Sequence, residues 1–205
     1  MKIKITIALA VLAIQASAQN YVDLGLPSHT LWADRNIEAE SETDNGASFV
    51  WGNSNDDAKS RNKYKGNAFY SVPSSSFKYV GLSWQIYNVY RDMSDGYIPT
   101  RMDWAELFKY CKREWKVNYK GTGRSGLLIT GKNGNSIFIV ATGIDGKHQD
   151  EIGHYYSAEL YERESRKTAK SHPVYLLSAK IQCGTVYTDC SLYAGKGIYM
   201  RPIKK

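Results

Sequence analysis

The side chains able to do chemistry in this 205-residue chain are three cysteines, four histidines, a few clustered carboxylates and 16 tyrosines. Cys183 and Cys190 stand close together in QCGTVYTDC, with Gly184 between them. That spacing can close a short hairpin or loop, and an oxidising compartment permits a disulfide there; two reduced thiols are the alternative. A reactive thiol also wants an electropositive, partly exposed setting, and only Lys180 and Lys196 lie near in sequence. His148, Asp150, Glu151 and His154 crowd one stretch, GKHQDEIGH. Carboxylates and imidazoles so close can hold a metal, but a polar turn between strands is the better reading. No C-x-x-C or H-x-x-x-H spacing occurs anywhere. Asn53 to Asp57 (NSNDD) is acidic yet lacks the glycine and distal glutamate of a calcium loop, and reads as solvated loop. No G-x-S-x-G, phosphate-binding glycine loop or H-E-x-x-H is present. The expectation is a protein without catalysis, metal or cofactor.

Binding is what remains. Tyrosine joins an apolar ring to a polar tip, so it suits half-buried strands and contact surfaces alike. Tyr161, Tyr175, Tyr187 and Tyr193, with Asp189 and neighbouring lysines, form the candidate ligand-binding set. Each single tyrosine is also explained by strand packing.

The first eighteen residues narrow the setting. MKIKITIALAVLAIQASA has a basic start (Lys2, Lys4), an apolar run from Ile5 to Ile14 and the small residues Ala16-Ser17-Ala18. This is the pattern of a cleaved export signal, and the run is too short to span a bilayer. Residues 1–18 are expected to leave, and 19–205 to form one domain of about 187 residues, enough to bury a core. The destination is periplasm, cell surface or medium. The formal charge of +7 falls to about +5 without Lys2 and Lys4, an excess that favours anionic surfaces or glycans without requiring nucleic acid.

Elements must hold these residues in place. Tyr21–Leu24, His29–Asp34 and Ala47–Trp51 read as short strands, and 52–76 as a long surface loop. Thr100 and Asp103 have the spacing of a capping box opening a helix. Trp104, Leu107, Phe108, Cys111 and Trp115 make one apolar stripe on it, with Lys109, Lys112, Arg113 and Lys116 on a solvated basic face. On that stripe Cys111 is a small buried hydrophobe. Gly126–Thr130 and Asn135–Ala141 flank a Lys-Asn-Gly turn and predict a hairpin. Gly153–Leu160, Pro173–Gln182 and Gly197–Ile203 predict further strands, with 162–170 as loop or helical turn.

Six of these pieces recur in order in one family. YVDLGLPSHTLWA (21–33), FVWGN (49–53), YIPTRMDWAELFKYCKREW (97–115), ITGKNGNSIFIVATG (129–143), GHYYSAELY (153–161) and GIYMRPI (197–203) resemble the segments of the Fibrobacter succinogenes major paralogous domain type. It occurs in exported proteins of gut Bacteroidetes. Departures are His29, where a glycine is usual, and Tyr156, where a tryptophan is usual. The resemblance implies an α+β, C-type-lectin-like fold: small twisted, mainly antiparallel sheets, paired terminal strands (Tyr21–Leu24 with Gly197–Ile203), one main amphipathic helix and long loops. It further implies a secreted or cell-surface recognition or adhesion module that binds an extracellular glycan or protein through its loop face. A structural subunit or cap of an envelope assembly such as a fimbria is the alternative. The formylglycine-generating branch of that fold is a weaker one, because its Asn-Val-Trp-Glu-Trp and Arg-Gly-Gly-Ser-Trp motifs are missing.

Overall fold

A computed structural model describes residues 19–49, 97–144, 146–161, 175–193 and 198–205. Expectations for 1–18, for the loops at 52–76 and 162–170, for Val50–Asn53 of the Trp-Gly segment and for Lys196 lie outside them.

The chain is mixed α+β, with one α-helix among the described residues and three small sheets. The first sheet holds β1 (Tyr21–Asp23), β2 (Leu31–Ala33) and β11 (Ile203–Lys204). The first and last described strands both enter it, but they do not pair with each other as expected. β2 lies between them, with Val22 on one side of Trp32 and Ile203 on the other. The predicted closing strand 197–203 is also divided. Ile198–Tyr199 forms β10 in a second sheet, and the chain changes sheets through Met200-Arg201-Pro202 before β11. Proline has no N–H to donate and cannot continue a ladder, so a break here is expected physically. The backbone stays satisfied, since Ala33 N–H donates to Pro202 O (2.9 Å) and Ile37 N–H to Met200 O (3.1 Å).

The second sheet runs in the order β3 (Ser48–Phe49), β10, β7 (Ile152–Tyr161), β8 (Tyr175–Gln182), β9 (Thr185–Tyr193). All its pairs are antiparallel except β10 with β7. The third is a meander of β4 (Lys112–Lys116), β5 (Gly126–Thr130) and β6 (Ser136–Val140). The predicted β5–β6 hairpin is present, with Gly134 at φ 86° in its turn. The turn folds over the end of β1: Asn133 Nδ2 and Asn135 Nδ2 donate to Asp23 O at 3.0 and 2.8 Å. Gly131 approaches so closely that a Cβ there would lie 2.1 Å from Leu24 O, which explains the glycine.

Helix α1 spans Arg101–Tyr110. Its capping box is formed: Asp103 N–H donates to Thr100 Oγ1 (3.2 Å) and Thr100 N–H to Asp103 Oδ2 (2.8 Å). Thr100→Ala is expected to cost about 1 kcal/mol, read as a shift in the urea unfolding midpoint. The helix ends earlier than its stripe suggests. Cys111 is its extended C-cap, and Trp115 lies on β4 opposite Leu127. The residues 112–116 gain a complete antiparallel ladder with β5, and that pairing overrides a helical preference spread over only one more turn. Of the basic face assigned to the helix, only Lys109 is helical.

The core centres on Trp104. Its ring lies 4.6 Å from Trp32, 5.6 Å from Phe108 and 5.7 Å from Tyr155. Its indole N–H donates to Tyr156 O at 3.1 Å, so helix and second sheet are fixed in register. Leu24, Leu107, Leu127, Ile139, Ala179, Ile181 and Ile203 belong to the same cluster. The apolar run SIFIVA of β6 is buried on both faces: Ile137 and Ile139 enter this cluster, while Phe138 stacks on Tyr119 at 4.0 Å.

Arg201, in the break between β10 and β11, is completely buried. Its guanidinium donates to Ala33 O (3.2 Å, at the end of β2) and Phe138 O (2.9 Å, in β6). One planar fork thereby ties all three sheets together. Tyr155 hydroxyl lies beside it and donates to Val140 O at 2.5 Å.

Candidate binding surface

The candidate tyrosines sit on the β7–β8–β9 part of the second sheet. β9 is a strand beyond those expected from the sequence: TVYTDCSLY carries Cys190 and the candidate residues Tyr187, Asp189 and Tyr193, and all of them lie on it. Its hairpin with β8 turns on two residues, Cys183 (φ 44°) and Gly184 (φ 87°), between the paired Gln182 and Thr185. Two successive positive φ values give the turn twist that suits a hairpin, and glycine takes the second at no steric cost. The missed signal was Cys-Gly in the role that Asn-Gly fills elsewhere.

This geometry separates the proposed disulfide partners. Cys183 is in the turn, while Cys190 lies in β9 opposite Ser178, five residues beyond the first strand residue. Extended chain advances about 3.3 Å per residue, and bridged cysteines need Cα atoms within about 7 Å. Cys111, Cys183 and Cys190 are all free thiols. Cys111 is buried as expected, and burial with the nearby Glu106 raises its pKa. Burial also raises the Cys190 thiol, with Asp189 adding to the shift and Lys180 opposing it. That is the reverse of what activates a nucleophile.

Two cross-strand rows matter. Near the turn, His154, Lys180 and Tyr187 stand opposite one another on β7, β8 and β9. Tyr187 is 44 % exposed, and the Lys180 ammonium lies 5.6 Å from its ring centroid. Toward the other end, Tyr161, Tyr175 and Tyr193 are in direct register across the same strands. Tyr175 and Lys180 are five residues apart on β8, about 16 Å along an extended strand. The predicted set is therefore two groups, with three tyrosines aligned and Tyr187 well removed from them. Asp189, exposed, lies between the groups at a register shift, where β9 places Thr188 and Asp189 opposite Ala179 alone. Such a bulge re-aims the side chains beside it.

His154 is buried under this surface. Ser178 Oγ donates to Cys190 O (3.1 Å), so its single proton is used, and His154 Nδ1 at 3.2 Å must donate to it. Burial, helped by Lys180, lowers the His154 pKa to about 4, leaving a neutral imidazole at neutral pH.

The crowded stretch around His148 is dispersed. Asp150 Oδ1 accepts from Arg124 Nε (2.9 Å) and Ser125 N–H (2.8 Å), His148 pairs with Glu151 (2.9 Å), and His154 faces Ser178. Arg124 also donates to Thr43 O and Asn45 Oδ1, so it stitches together the loops at 41–46 and 146–151. Among the described residues no group of three or more His, Cys, Asp or Glu is placed to hold a metal. No helix among them is long and apolar enough to cross a membrane.

A scan against protein-family models finds no match, and searches of curated proteins and of solved structures find none.

Proposed function

We propose that this chain is an exported, non-catalytic recognition module with a C-type-lectin-like fold, binding an extracellular glycan or protein. The fold reading is supported by the first and last described strands lying on either side of β2 in one sheet, by a capped helix packed on a larger sheet, and by the resemblance of its sequence segments. The observation that carries the binding role is the exposed Tyr187 ring beside Lys180 on the β8–β9 hairpin. An exposed ring with a cation at its face can pack on a sugar or an apolar side chain at low entropic cost, while the ammonium adds direction.

The test is a glycan and cell-surface protein array probed with residues 19–205, followed by Tyr187→Ala and Lys180→Ala. Tyr187→Ala is expected to weaken the identified ligand by roughly tenfold, as an exposed aromatic anchor does. Unchanged binding by a variant with unchanged melting temperature would remove this surface from the proposal.

A further inference from the structure

The early end of α1 creates a feature that the helical reading of 101–115 conceals. Basic residues read as one solvated helix face instead gather where α1 ends, β4 begins and the β5–β6 turn comes alongside. Tyr110, the last helical residue, is 36 % exposed. The Lys109 ammonium lies 5.1 Å from its ring centroid, and the Lys132 ammonium, from the β5–β6 turn, 5.8 Å. Lys112 and Arg113 begin β4 next door and are exposed; Lys112 stands opposite Thr130, two residues before Lys132.

None of these four cations has an ion-pair partner among the described residues. The neighbouring carboxylates are committed elsewhere. Glu106 accepts from Ser28 N–H (2.9 Å) and Ser28 Oγ (2.6 Å), Asp103 pairs with Lys205 (3.1 Å), and Glu114 pairs with Lys116, with Lys112 acting on it more weakly. Two ammonium groups beside one exposed ring give the corner a positive potential, which a bound anion would offset.

We propose that the Tyr110 corner, with Lys109, Lys132 and Lys112, is a binding site for an acidic polysaccharide bearing uronate or sulfate groups. The ring offers a flat apolar surface to a pyranose, and the flanking ammonium groups take its carboxylates or sulfates. The footprint is compact, with two ammonium groups beside one ring and Lys112 at the adjoining start of β4. Nucleic acid is held instead by a longer basic track that follows many phosphates. This site uses α1, β4 and the β5–β6 turn, and stands apart from the Tyr187 reading, which uses β8 and β9.

The experiment measures binding of residues 19–205 to polygalacturonate, dextran sulfate, neutral dextran and double-stranded DNA, at about 50 and about 300 mM salt. Both acidic polysaccharides are expected to bind, neutral dextran not, with affinity falling as salt rises. Lys109→Gln with Lys132→Gln is expected to weaken binding roughly tenfold. A charge-matched control, Lys120→Gln with Lys147→Gln, is expected to stay within about twofold. Tyr110→Leu is expected to weaken polygalacturonate roughly threefold, because the ring is lost and no charge is. Three results would overturn the site: no binding to either acidic polymer, equal losses in the two double variants, or DNA bound as tightly as polygalacturonate with neither affected by Tyr110→Leu. The first leaves the Tyr187 reading untouched, because its array readout is separate.

Discussion

Arg201→Ala is expected to destabilise the protein by about 4 kcal/mol, the largest effect of any single substitution considered. The side chain is wholly buried, and it satisfies two carbonyl oxygens that belong to different sheets. Truncation leaves Ala33 O and Phe138 O without that donor, each costing about 1–3 kcal/mol, and opens a cavity between the sheets. Domains of this size are stable by only about 5–15 kcal/mol, so the variant should lie near the limit of folding. Arg201→Lys retains the charge, but one ammonium cannot reproduce the two-pronged fork, and about half the loss is expected. Arg201→Met removes the charge that burial disfavours and fills part of the space, so it should fall between wild type and alanine. Urea unfolding of the three variants reads the order. A loss below about 1 kcal/mol for alanine would show that Arg201 does not hold the sheets together.

Lowering the pH from 7 to 4 should remove about 3 kcal/mol of stability through His154 alone. The sign follows from the depressed pKa. The unfolded chain takes up a proton near the ordinary histidine value of about 6.5, while the folded protein resists until about 4. Between those values the unfolded state binds more protons, so stability is full above about 6.5 and is lost as pH falls toward 4. Burial is the main cause, and Lys180 on β8 opposes protonation from the adjacent strand; the other near neighbour, Ser178, is uncharged. His154→Gln keeps a side chain able to hydrogen-bond Ser178 and removes the titration. Its unfolding midpoint in urea should change much less between pH 7 and about 5.5, a window that lies above most carboxylate titrations. Equal pH dependence in the two proteins would mean that His154 protonates freely in the folded state.

Local chemistry was legible wherever the determinants were neighbours in the chain. Thr100 and Asp103 announce a helix start because both halves of a capping box lie within one turn. Lys132-Asn133-Gly134 between two apolar runs announces a hairpin because few other residues accept its dihedral angles. Trp104, Leu107 and Phe108 announce the buried side of α1 because helical period is a local property. What failed depended on partners distant in sequence. The helix stops at Tyr110 because β5 supplies 112–116 with a ladder, and no feature of KREWK reveals that offer. The closing segment GIYMRPI breaks at Pro202, but which sheet each half joins depends on β3, β7 and β2, and Arg201 between the halves finds its acceptors on β2 and β6, far back in the chain.

The candidate residues divide in the same way. Sequence alone marked Tyr161, Tyr175, Tyr187, Asp189 and Tyr193 by residue type, together with a leader-like first eighteen residues and a modest positive charge. Only the tertiary structure decided that three of those tyrosines align across strands while Tyr187 stands with Lys180 near the turn, and that Cys183 and Cys190 are held apart by extended chain. It alone brought Lys109, Tyr110 and Lys132 to one corner. Side-chain type and local period are written in short stretches of chain. Which stretches become neighbours is settled by long-range strand pairing and by burial around Trp104 and Arg201, and these depend on contacts between residues far apart in sequence.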